Sequence, residues 1–245
     1  MNTPAPRDDL ATPQPHSPEE AARARLRGLG SRVTEPRVRV LAVLMEPEVP
    51  RQGFYVDIGA HHPTRFSNTM YFYDRGWRGL NVDARPGFAK EFNQMRGRDI
   101  AVECGVSSSE GELKFYEFNE PALNTFDPEI AQRRDGKRHY RVEREVTVPV
   151  RTLVSLMDQF VGLDQTIDFL SVDVEGLDVD VLRSNDWQRY RPRFVLTEVY
   201  GQWLEEVMES ETVSIMKEFG YRPCSRTRHT IFFEDSQLAS TRAAA

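Results

Sequence analysis

The spacing of apolar and polar residues divides the chain into three kinds of segment. Residues 1–17 are polar and Pro-rich, a composition too poor in large apolar side chains to offset the entropy of ordering, so they read as a disordered leader. Ser17 then offers an N-cap to PEEAARARLRGL, with Pro18 in the first helical position, Glu19 and Glu20 in the first turn and Gly28 near the end, which predicts a helix. A second, shorter helix is expected over Val38 to Met45. Together these make residues 18–50 a helical cap ahead of the main domain.

From Gly53 onward, short β-prone runs alternate with helical stretches, the pattern of βαβ units and a largely parallel sheet. Strands are expected at Phe54 to Ile58, Gly79 to Val82, Ile100 to Cys104, Ile167 to Val172 and Phe194 to Glu198. Helices are expected between them, around Asn68 to Arg75, Pro86 to Met95, Leu153 to Phe160, Val179 to Ser184 and Thr212 to Phe219. YRPCSRTRHTIFFED reads as a closing antiparallel hairpin, giving an α/β domain over 51–236 with a sheet of about seven strands, and LASTRAAA makes 237–245 a flexible tail. One interval departs from the alternation. GELKFYEF and REVTVPV both read as strands but are separated by the polar stretch Asn119 to Arg144, which predicts a hairpin with a long mobile loop beside the cleft.

Charge and cysteine content narrow the function classes. The 38 acidic residues outnumber the 32 basic ones for a net −6, which argues against a nucleic-acid partner, since binding phosphates needs a basic field. No apolar run approaches the length of a membrane span. Two cysteines without metal-ligand spacing give neither a disulfide framework nor a zinc site, and a reducing, cytoplasmic setting is the expectation.

The chemistry gathers at the ends of predicted strands, where open parallel sheets bind ligands. In FYVDIGAHHP the strand ends in Asp57 before the Gly59 turn, which would let backbone approach a ligand. His61 stands where a GxGxxG loop has its second glycine, so a pyrophosphate cradle is disfavoured. In WRGLNVDARP the next strand ends in Asp83, placed to accept from both hydroxyls of a ribose. Two strand-end acids without a phosphate cradle favour S-adenosyl-L-methionine, whose sulfonium also suits an acidic cleft. IDFLSVDVEGLDVDVL ends in Asp173 and Glu175, and FVLTEVY ends in Glu198. Three carboxylates are therefore expected to converge, as base or metal ligands. Each acid also has a purely structural alternative, in which Asp57, Asp83 and Glu175 cap helices or turns and Glu198 pairs with an arginine.

DIGAHHPTRFSNTMYFYDRGWRGLNVDARP, AVECGVSSSEGELKFYEF and SVDVEGLDVDVLRSNDW together resemble the FkbM-type S-adenosylmethionine-dependent methyltransferases, over about residues 53–235. The resemblance implies a class I methyltransferase (Rossmann-like) fold and O-methylation of a hydroxyl on a secondary metabolite or saccharide. It implies that Asp57, Gly59 and Asp83 hold the cofactor. Ala60 and Ala84 in the same loops, Asn68 at the start of the first crossover helix, and Gly105 and Val106 at the edge of the adenine pocket complete the expected cofactor set. Glu103-Cys104-Gly105 departs from the family pattern, in which an uncharged residue and Ala precede Val-Ser. The candidate general bases are Asp173, Glu175, His61 and His62. A divalent cation is a conceivable alternative activator, but the expectation is metal-independent activity. A nucleotide-sugar or NAD-dependent oxidoreductase, or a non-catalytic binding protein that keeps the fold, are the competing readings.

Overall fold

The computed structural model describes residues 36–45 and 52–238. The expected leader, the helix after Ser17 and residues 239–245 of the expected tail lie outside the described residues.

Seven strands form the main sheet: β1 (Phe54–Ile58), β2 (Arg78–Asp83), β3 (Ile100–Glu103), β7 (Phe169–Val172), β8 (Phe194–Glu198), β9 (Tyr221–Arg226) and β10 (Thr230–Asp235). Their order is β3-β2-β1-β7-β8-β10-β9. All neighbours from β3 to β8 pair in parallel, whereas β10 runs antiparallel to both β8 and β9. This is the expected α/β sheet with its C-terminal antiparallel hairpin, the class I methyltransferase architecture. Among the described residues no helix is long and apolar enough to cross a membrane.

Both faces of the sheet are covered, so the central strands read as continuous apolar runs. On one face Val56, Ile58, Leu80, Val82, Leu170 and Val195 pack with α5 (Leu153–Phe160), α6 (Asp178–Arg183) and α8 (Glu211–Glu218). On the other, Tyr55, Phe169, Leu196 and Phe232 pack with α1 (Pro36–Met45), and Phe72 of α2 (Met70–Tyr73) and Trp77 join them. Helix α1 presents Val38, Leu41, Ala42 and Met45 at helical spacing, all buried. Burial contributes roughly 1.5–3 kcal/mol for each of the large side chains. That anchors the segment preceding β1 and fixes whatever the first turn of α1 carries. Helix α3 (Phe88–Met95) closes the β2–β3 connection.

A second sheet, β4-β6-β5, is built from β4 (Gly105–Val106), β5 (Gly111–Phe118) and β6 (Val142–Arg151). The antiparallel β5–β6 pair is the hairpin expected from the sequence. Its connection is not a long bare loop, however. It holds a 3₁₀ turn at Pro121–Leu123 and α4 (Pro128–Arg134), capped by Asp127 with Pro128 in the first turn. A bridge between Tyr116 and Thr125 ties it to β5, and the Thr125 hydroxyl donates to the Glu175 carbonyl at 2.7 Å. A further short helix not expected from the sequence, α7 (Leu204–Met208), follows β8.

Candidate active site

Strands β1, β2, β7 and β8 all end at the same edge of the sheet, and the segments after them line a cleft of about 280 Å³. Ile58, Gly59 and His61 form one wall, Val82, Asp83 and Ala84 the next, and Asp173, Glu175 and Glu198 the far end. Phe115 of β5 and Phe126 of the β5–β6 connection line it too, with Gly105 and Val106 of β4. Gly105 has no room for a side chain, because a Cβ there would meet the Phe126 ring at 2.6 Å. Glu103 turns away from the cleft, its carboxylate accepting from the Gly87 and Ala89 amides at 2.9 and 3.3 Å at the start of α3.

Gly59 adopts φ +83°, and a Cβ on it would lie 1.8 Å from the Asp173 carbonyl oxygen. The close approach this glycine permits is therefore between the ends of β1 and β7, rather than between backbone and a ligand alone. The loop after it is stapled to β2. The Gly59 and Ala60 amides donate to the Val82 carbonyl at 2.8 and 3.1 Å, and Asp83 accepts from the His61 amide at 2.8 Å and the Arg85 amide at 2.9 Å. Burial raises the Asp83 carboxyl above the ordinary range while those two amides pull it back. Ala60 packs on Phe88 and Phe92 of α3 and does not line the cleft.

The two histidines part company here. His61, held at φ +55°, lines the cleft with a buried Nε2 that has no partner, and burial lowers its pKa, so the ring is neutral near pH 7. His62 turns outward, contrary to its expected place as a base. Its Nδ1 accepts from the Thr64 and Arg65 amides at 3.0 and 2.9 Å, and its Nε2 lies 3.1 Å from Glu91.

Asp57 does not line the cleft either. Strand parity puts it on the face of Tyr55, beneath α1, where it is 1% exposed. Burial pushes its pKa up to about 6, against a hydrogen bond from the Ser171 side chain and the charges of Arg96 and Arg37. Asn68 does reach the cleft. Its Nδ2 donates to the Ser171 hydroxyl at 3.1 Å and its buried Oδ1 has no partner. An unpartnered buried acceptor such as Asn68 Oδ1 fits a ligand that brings donors or positive charge, as an ammonium or a sulfonium does.

Asp173, Glu175 and Glu198 do converge, each offering an oxygen within 4.8 Å of the others. Two of the three meet an arginine that no motif along the chain singles out. Arg37, in the first turn of α1, donates to Asp173 at 2.6 Å, and Arg134, at the end of α4, donates to Glu175 at 2.6 Å. Glu175 sits at φ +52°, in the left-handed region, and burial raises its pKa. Among the described residues Glu198 has no arginine within ion-pair distance. Burial, then the charge of Asp173, pushes it up to about 8, against a hydrogen bond from Tyr200. Asp178 behind it is pushed up to about 7, chiefly by burial. Asp173, Glu175 and Glu198 are also the oxygen set that would hold a divalent cation.

The family model described as the methyltransferase FkbM domain matches residues 57–223. No curated protein sequence matches the chain. Among solved structures, a TehB-like SAM-dependent methyltransferase from Corynebacterium glutamicum is 12% identical, with 88% of this chain and 97% of that one covered at a TM-score of 0.41. The 1,6-didemethyltoxoflavin-N1-methyltransferase of Burkholderia thailandensis is 16% identical, with 94% and 93% covered at 0.40. An O-methyltransferase from Bacillus cereus is 12% identical, with 92% and 93% covered at 0.37. Membership rests on the family model, which spans the glycine loop, both strand-end acids and the carboxylate cluster: the chain belongs to the FkbM methyltransferase family and is an S-adenosylmethionine-dependent methyltransferase.

Proposed function

We propose that the enzyme methylates a hydroxyl of a small molecule, a secondary metabolite or a saccharide, with Glu198 as the general base. The observation that carries this reading is that, among the described residues, Glu198 is the carboxylate of the cluster without an arginine partner, and that burial and the charge of Asp173 push its pKa up to about 8. An alcohol is a weak nucleophile at neutral pH and must lose its proton as it attacks, which a positioned base accelerates by about 10²- to 10⁴-fold. A base whose pKa lies near the working pH is the best match for that task. Asp173 and Glu175, each committed to a guanidinium, are weaker acceptors, although both border the acceptor oxygen's approach. The neutral, unpartnered Nε2 of His61 supports it as a second candidate base.

The cofactor supplies an electrophilic methyl group. Asp83 takes the ribose hydroxyls, using the lone pairs left after it has accepted from His61 and Arg85. Gly105, Val106 and Ala84 border the adenine under Phe126. Asn68 Oδ1 and, from beneath the floor, the charge of Asp57 favour the cationic amino-acid end, while Gly59 and Ala60 shape the loop between them. Holding the acceptor oxygen in line behind the methyl carbon contributes about 7–11 kcal/mol. Glu198 would accept the acceptor's hydroxyl proton as the oxygen takes up the methyl group. Both cysteines are free thiols, which suits a cytoplasmic location.

Mass spectrometry for a +14 Da product on hydroxylated metabolites tests the reaction. Stabilisation by S-adenosylhomocysteine but not by NAD in a thermal shift separates this reading from an oxidoreductase. A protein stabilised by NAD alone would not be the enzyme described here.

A further inference from the structure

A second cleft, of about 660 Å³, opens beside the first and shares Glu175 and Glu198 with it. Its apolar floor is Ile130, Val179 and Val199, and its outer wall carries Arg133, Arg134 and Lys137 from α4 and the turn after it. Arg134 of that wall donates to Glu175 at 2.6 Å, so a molecule lying in this cleft meets the basic wall beside the carboxylate cluster.

The wall is the most basic stretch of an acidic protein. Residues 133–141, RRDGKRHYR, hold Arg133, Arg134, Lys137, Arg138 and Arg141 against the single acid Asp135, in a chain of net −6. Among the described residues Asp135 forms no ion pair with them, and its carboxylate accepts from the Val142 amide at 2.9 Å. Arg134 is committed to Glu175, and Arg141 lies 3.3 Å from Glu143. Among the described residues, Arg133, Lys137 and Arg138 have no carboxylate within ion-pair distance. The chain accepts left-handed backbone at Arg138, φ +57°, in a turn closed by the Gly136 amide on the Tyr140 carbonyl at 3.0 Å. Lys137 and Arg138 therefore share a hollow with Tyr140 and Leu123. Like charges gathered at one end of a cleft repel one another, and an anion relieves that repulsion with charge-assisted hydrogen bonds.

We propose that this cleft binds the acceptor and that the acceptor carries an anionic group, a carboxylate or a phosphate, which docks on Arg133 and Lys137. Its hydroxyl then faces Glu198, which lines the same cleft. The proposal rests on methyl transfer to a hydroxyl and adds the charge of the molecule that receives it.

The test uses the full chain with methyl-deuterated S-adenosylmethionine and a cellular metabolite extract, split by anion exchange into retained and flow-through fractions. The expected result is a labelled product in the retained fraction. Phosphatase treatment beforehand abolishes the label if the group is a phosphate and leaves it if it is a carboxylate. With that product's precursor as substrate, joint replacement R133A and K137A should raise KM roughly tenfold or more, the loss of one or two charge-assisted contacts, with kcat and S-adenosylhomocysteine affinity close to those of the parent. Label in the flow-through alone, or an unchanged KM in the double variant, overturns the proposal while leaving methyl transfer intact. No labelled product in either fraction counts against the small-molecule reading itself, and the acceptor's charge falls with it.

Discussion

Arg37 and Asp173 lie 136 residues apart in sequence, yet the guanidinium donates to the carboxylate at 2.6 Å at the edge of the cofactor cleft. Helix α1 makes the contact possible by burying Val38, Leu41 and Met45 against the sheet, which leaves Arg37 at the carboxyl ends of the strands. The same guanidinium is within electrostatic reach of Glu198 and Asp57. Replacing it with alanine removes a cation from a cluster of acids, so the Glu198 carboxyl should rise further. Since the base must be ionised, the acid limb of the pH–rate profile should move to higher pH, by up to about 1–3 units. Activity at pH 7 should fall and recover in alkali, and Arg37→Lys should restore most of it. A uniform loss at every pH would instead mean that Arg37 acts only in holding α1.

Glu198→Gln removes the proposed base while keeping its shape. Turnover should drop by about 10²- to 10⁴-fold and the acid limb should disappear. In the parent enzyme, kcat/KM for the cofactor should rise with pH towards a plateau above pH 8, because that ratio reports the free enzyme. The limb in kcat should lie at lower pH, since a sulfonium in the cleft favours the ionised carboxylate. Initial rates from pH 5.5 to 9.5 would show both.

Asp83 binds two amides of its own protein before it meets any ligand. Asparagine offers one carbonyl where the carboxylate offers two oxygens, so Asp83→Asn both loosens the His61 loop and weakens the ribose contact. Calorimetry with S-adenosylhomocysteine should show a roughly 10- to 100-fold weaker Kd, the loss expected for a charged hydrogen bond. Unchanged affinity would place the nucleoside elsewhere.

Two of the three carboxylates that would hold a divalent ion already have their counter-charge in Arg37 and Arg134. Enzyme dialysed against EDTA should therefore keep its turnover within about twofold, whereas a metal-activated nucleophile would lose most of it. Loss restored by Mg²⁺ would make Asp173, Glu175 and Glu198 the ligands.

Much of this site is visible along the chain because a strand-end acid after an apolar run is a local signal. Strands β1 and β8 and helix α5 begin and end where the apolar pattern says, and the convergence of Asp173, Glu175 and Glu198 follows from parallel strands ending together. The arginines are not visible, since Arg37 reaches its partner through tertiary packing and Arg134 lies in a polar stretch. That stretch hides its helix because α4 buries only Ala131, too little to leave a periodic pattern. His61 and His62 are equivalent on paper, and the left-handed backbone at His61 decides which ring enters the cleft. Asp57 was legible as an acid at a strand end, but its parity on β1 puts it under α1 instead of in the cleft wall.

That buried position makes Asp57 a cost to stability. Its pKa is about 6 in the folded chain against an ordinary 3.8, so the fold favours the protonated acid. The folded state then binds more protons than the unfolded one between those values. Stability is fully present below about pH 3.8 and is lost as pH rises towards 6, by about 3 kcal/mol in all. Asn mimics the protonated acid at every pH. Asp57→Asn should therefore melt at a higher temperature than the parent above pH 6, with the gap closing as pH falls to 4. S-adenosylhomocysteine should stabilise the parent more than the variant if the charge of Asp57 favours the cofactor's ammonium. Melting curves at pH 4, 5, 6 and 8, with and without that ligand, separate the two effects, and a gap that does not change with pH would mean that Asp57 is ionised in the fold at no cost.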